Sequence, residues 1–86
     1  LDLQRLQRNR RDIKTDLERV KGLLLLTRMQ LGALLMDRQR GRNISPLMIP
    51  FAQQRIRGYE IEVQRISAIL AANQVHLDRA IGNICQ

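Results

Sequence analysis

Aromatic side chains are nearly missing from this chain: Phe51 and Tyr59 stand alone, and there is no tryptophan. Aromatics supply much of the buried area of an ordinary globular core. An interior here must therefore be built from Leu, Ile, Val, Met and Ala, the palette of helix bundles. Cysteine is as scarce. Cys85 has no partner, which excludes an internal disulfide and the paired ligand spacing of a zinc site. It reads as an inert thiol near the end of a helix, and this cysteine usage points to an intracellular, cytoplasmic setting. The one histidine, His76, lies between Val75 and Leu77, without a second ligand at metal spacing or a paired-carboxylate motif. It reads as a surface or interface residue. Ser45 and Ser67 are set in no nucleophile motif. No catalytic residue, metal ligand or cofactor-binding residue can be nominated, and the expectation is a non-enzyme that needs no cofactor.

Long apolar runs are missing too. The leucine-rich stretch from Val20 to Met36 is broken by Lys21, Arg28 and Gln30, and charges near the centre of a span are costly. No transmembrane segment is expected. The charged amino end lacks the apolar core and small-residue site of a secretion signal. The apolar pattern is already in register at Leu3, so the chain is expected to be a piece of a longer protein or a processed product.

What the chain does have is heptads. Leu3, Leu6, Arg10, Ile13, Leu17, Val20, Leu24, Thr27, Leu31, Leu34 and Arg38 follow strict alternating 3-4 spacing, and so do Ile49, Ala52, Ile56, Tyr59, Val63, Ile66, Leu70, Asn73, Leu77, Ala80 and Ile84. Such spacing keeps one apolar seam turned to a partner helix along the whole segment. The polar intruders are Arg10, Thr27, Arg38 and Asn73. A seam asparagine sets register or oligomer state, or else marks a place where the helices splay and water enters. Arg10 predicts an amino-terminal end that is loosely packed or paired with an acidic group.

The first helix is predicted from Asp2, as its N-cap, to Gln39, about 57 Å long. Arg38 and Arg40 suit a helix carboxyl end, Gly41 can take the left-handed cap conformation, and Asn43 extends the turn chemistry. Ser45 and Pro46 resemble a cap with proline at the first helical position, opening a short turn. Pro50 disfavours helix at Ile49, so the second helix is predicted from Pro50 to Ile84, about 52 Å. The turn would span residues 40–49. The fold class is therefore all-α: one domain over residues 1–86, folded as a long antiparallel two-helix coiled-coil hairpin.

One seam leaves too much apolar surface outside. Leu26, Met29, Ala33 and Met36 form a second stripe at 3-4-3 spacing with Leu25 beside it, and Ile61, Ala68, Ile69 and Ala72 lie outside the ladder of the second helix. A helix buried on two sides implies a third and fourth helix. The hairpin is expected to associate into a three- or four-helix bundle, with these residues as the oligomer or partner interface. The alternative is a wide stripe that merely thickens one intramolecular core. Gly22, Gly32, Gly58 and Gly82 inside the helices allow close backbone approach, or are simply tolerated.

Formal charge is +7, and all but Lys14 and Lys21 of the fifteen basic residues are arginine. One group is Arg5, Arg8, Arg10, Arg11 and Lys14. The other, Arg38, Arg40, Arg42, Arg55 and Arg57, collects toward the turn as a basic tip. Arginine clusters bind phosphates and carboxylates, so an acidic protein, anionic lipid or nucleic acid would each fit. Missing stacking aromatics and the acids Asp2, Asp12, Asp16, Glu18 and Asp37 weigh against nucleic acid. The hairpin plan resembles that of the stalk proteins and small chaperones of flagellar and type III export machines, and of plasmid RNA-regulator hairpins. That likeness carries over no residue. The leading expectation is a coiled-coil assembly or adaptor module that joins itself or a partner helix of another protein. The alternatives are a dimeric basic hairpin binding RNA or DNA phosphates, and a stalk or chaperone component of a bacterial secretion machine.

Overall fold

The computed structural model of the chain describes residues 2–85, except for the side chain of Cys85. Helix α1 runs over Asp2–Gln39 and helix α2 over Met48–Cys85, and the two pack antiparallel as a hairpin 67 Å long and 15 Å across. Leu and Arg dominate α1, and these lose little rotamer freedom in a helix, whereas Ile and Ala are the commonest residues of α2.

The seam lies where the 3-4 spacing puts it. Every ladder residue is buried or half-buried except Arg38 and Ile84, at the ends. At the centre Leu17, Val20 and Ile66 pack with Ile13, Tyr59, Val63 and Leu70 around them. Leu24, Ile49, Ala52 and Leu77 are buried to either side. Two helices cannot wrap a side chain completely, and Val20, the most covered apolar residue, keeps 2 % of its surface exposed.

Gly41 closes α1 with φ of +78°. Gly41 N–H donates to Arg38 O at 3.1 Å and Arg42 N–H to Asp37 O at 3.0 Å, the paired hydrogen bonds of a Schellman cap. An apolar contact often joins the two outer residues of that motif. Here an ion pair does so, with Arg42 Nη1 3.1 Å from Asp37 Oδ1.

The bounds of α1 are those expected from the sequence, with Asp2 its first helical residue and the Asp2 carboxylate 4.0 Å from Arg5 Nη2; those of α2 differ at both ends. Helix α2 begins at Met48, not Pro50. Leu47 N–H points to Ser45 Oγ at 3.4 Å, Met48 N–H donates to Ser45 O at 3.1 Å, and Phe51 N–H donates to Leu47 O at 3.0 Å. The turn opened by Ser45 thus runs directly into the helix. Pro50 sits in the first turn, where backbone donors have no intrahelical partner to lose. Burial of Ile49 against the seam outweighs the steric preference of a residue before proline. At the far end helical backbone reaches Cys85, one residue past the expected Ile84; the expectation of an inert thiol lies outside the described residues.

Candidate functional site

With the seam at heptad positions a and d, Leu26 and Ala33 fall at c and Met29 and Met36 at f, on the side of α1 that faces away from α2. All four, with Leu25, are exposed; Leu25, Leu26, Met29 and Met36 keep 60, 56, 64 and 51 % of their surface open. These side chains therefore do not thicken the intramolecular core. No charged residue occupies a c or f position between Arg19 and Arg40, so the stripe is unbroken along the turn-proximal half of α1.

Ile61, Ala68, Ile69 and Ala72 are also exposed, but the structure does not bring them to the α1 stripe. Ile61, Ala68 and Ala72 lie on the outer side of α2 and Ile69 on its flank, around the middle of the helix, and Arg65 separates Ile61 from Ala68. A further apolar feature escaped the sequence reading. Phe51 and Met48 are exposed and line a groove of about 460 Å³ with Gln30, Ala33, Leu34 and Arg55. The signal was available in principle, because Phe51 falls at a c position once the Ile49–Ala52 register is extended.

The polar seam residues resolve individually. Asn73 is 6 % exposed, and its Nδ2 donates across the hairpin to Leu6 O at 3.2 Å, while Oδ1 is buried without a partner. Beside it a recess of about 350 Å³ is lined by Asn9, Asp12, Ile69, Ala72 and His76. Register fixing and a local opening thus coexist at Asn73. Arg10 donates to Gln74 Oε1, and Gln74 Nε2 donates to Asp78 Oδ1 at 2.8 Å, so the seam arginine reaches an acidic group through one amide. Thr27 satisfies its hydroxyl within α1, donating to Leu23 O at 2.7 Å.

Of the basic tip, Arg38, Arg40 and Arg42 gather at the turn, and Arg42 is held by Asp37. Arg55 and Arg57 lie roughly two turns and two and a half turns along α2 from Met48, about 10 and 13 Å down the shaft. They fall at g and b positions, on opposite flanks. Even counted from Pro50 both arginines lie past the first turn, so their place on the shaft follows from their spacing in the sequence. Closer to mid-molecule, Arg19 lies 3.8 Å from Asp16, and Arg65 pairs with Glu62. The hydrogen bond from Arg65 holds the Glu62 carboxyl below its ordinary range; slight burial opposes this, and the charges of Arg65 and Arg19 add to it.

A Cβ added at Gly22, Gly32, Gly58 or Gly82 would meet nothing within 4 Å, so these glycines serve no close approach inside the hairpin. Among the described residues no helix is long and apolar enough to cross a membrane, and no cluster of His, Cys, Asp or Glu could hold a metal ion. No family model, curated protein or solved structure matches the chain.

Proposed function

We propose that the chain is a non-catalytic assembly module, working inside the cell, whose hairpin is closed by one seam and joined to further helices through its outer apolar faces. The observation that carries this reading is the exposure of the Leu25, Leu26, Met29 and Met36 stripe on a helix whose opposite side is already closed. Contiguous apolar surface of this kind marks interaction sites in folded proteins.

The surface of the whole molecule supports the same reading. A compact monomer of 10.0 kDa exposes roughly 5,200 Å², whereas this chain exposes 6791 Å². The excess, roughly 1,600 Å² on one chain, is about twice what each partner contributes to a standard protein–protein interface. Copies of the chain are the first partners to consider, with a bundle of four helices as the product; a helix of another protein is the second.

Sedimentation at low and high salt tests the function. An assembly held by leucine and methionine keeps a mass above that of one chain as salt rises, because apolar burial is not screened. A dimeric hairpin acting through arginine–phosphate contacts would also sediment above one chain, but would bind nucleic acid with an affinity that falls steeply with salt. That second outcome would replace the assembly reading.

A further inference from the structure

We propose that a second copy of this chain covers the α1 stripe, with the two α1 helices crossing back to back and antiparallel about a two-fold axis that passes between Met29 and Ala33. This rests on the assembly reading above and names its partner and geometry.

The spacing of the stripe is the first argument. Leu26, Met29, Ala33 and Met36 are separated by 3, 4 and 3 residues, a pattern that reads the same from either end. Reversing the helix sets Leu26 of one copy against Met36 of the other, and Met29 against Ala33. Each layer is then chemically matched, large against large at the rims and large against small at the centre. A two-fold interface must be self-complementary in this way. Along α2, Arg65 and Arg79 at c positions break up the exposed apolar residues from Ile61 onward, and Met48 and Phe51 stand apart in the groove at the turn.

Charge selects the antiparallel sense. A parallel pair would set Arg38, Arg40 and Arg42 of both copies side by side, within a Debye length of about 10 Å. In the antiparallel pair the two tips stand roughly 27 Å apart along the axis. Each tip then lies over the partner's segment from Val20 to Leu24, where Lys21 is the one charge, with Glu18 two residues further on. Area is the tightest condition. At their observed exposures, Leu25, Leu26, Met29 and Met36 offer roughly 450 Å² per copy and roughly 900 Å² per pair, so Ala33 and the flanking polar side chains must contribute for the pair to reach the roughly 1,000 Å² of a specific interface.

The axis lies well toward the turn from the middle of α1, so the copies overlap only through their turn-proximal halves. Two rods of 67 Å offset in this way span roughly 90 Å. Small-angle scattering of the full chain should therefore give a particle of twice 10.0 kDa and a maximum dimension of roughly 90 Å. Cross-linking supplies the register. In a Cys85→Ser background, chains carrying Met29→Cys mixed with chains carrying Ala33→Cys should form disulfides several-fold faster under mild oxidant than either chain alone. A dimer whose length stays near 67 Å, or disulfides that form only between like chains, overturns this arrangement while leaving self-association standing. A helical particle of 10.0 kDa removes the assembly reading and the arrangement together.

Discussion

Asn73 shows how one side chain can carry specificity at the expense of stability. Its Nδ2 ties α2 to Leu6 O across the hairpin, and a slip of one heptad would break that bond, yet Oδ1 is buried with no donor. An unsatisfied buried acceptor costs roughly 1–3 kcal/mol, more than a typical hydrogen bond returns. We expect Asn73→Leu to raise the unfolding free energy by about 1 kcal/mol or more, read from a denaturant melt, while loosening the register. A lower stability would mean that Oδ1 is satisfied in the working assembly. The spacing alone placed Asn73 on the seam but could not choose between register and water, because that choice depends on which atom of α1 lies opposite. Arg10 posed the same difficulty. Its route to Asp78 passes through Gln74, a residue outside both ladders that no spacing rule singles out.

The helices themselves were the most legible elements, and the reasons are local. Strict 3-4 spacing predicts which side of each helix is covered, and glycine after a basic turn predicts the end of α1. The Schellman geometry at Gly41 gives that second signal a measurable cost. With φ at +78°, an alanine would sit in the left-handed region, which costs an L-residue roughly 1–2 kcal/mol. We expect Gly41→Ala to lower the melting temperature by several degrees without loss of helicity at room temperature; an unchanged melt would show that the cap contributes nothing. The start of α2 was less legible. Local rules favour Pro50, whereas the burial of Ile49 extends the helix back to Met48. Burial is a tertiary effect and cannot be read from the dipeptide. The spread of the basic tip was legible, by contrast, because Arg55 and Arg57 stand more than a turn past Pro50 in the sequence itself.

Seen as a whole, the molecule is a rod with two kinds of apolar surface. The a and d seam is consumed in closing the hairpin. The c and f stripe of α1 lies on the opposite side, unbroken by charge and open to solvent. That separation is the central claim, because it means that folding and association can be uncoupled by substitution. Exposed positions tolerate charge when the helix stands alone, but a glutamate forced into an apolar interface is left unpaired and desolvated. The most direct test is the double variant Leu26→Glu with Met29→Glu, followed by ultracentrifugation and circular dichroism on the same sample. The account predicts a particle that falls to the 10.0 kDa of one chain with the helical signal of the parent retained. A mass unchanged from that of the parent, or a loss of helicity in step with the loss of mass, would contradict it.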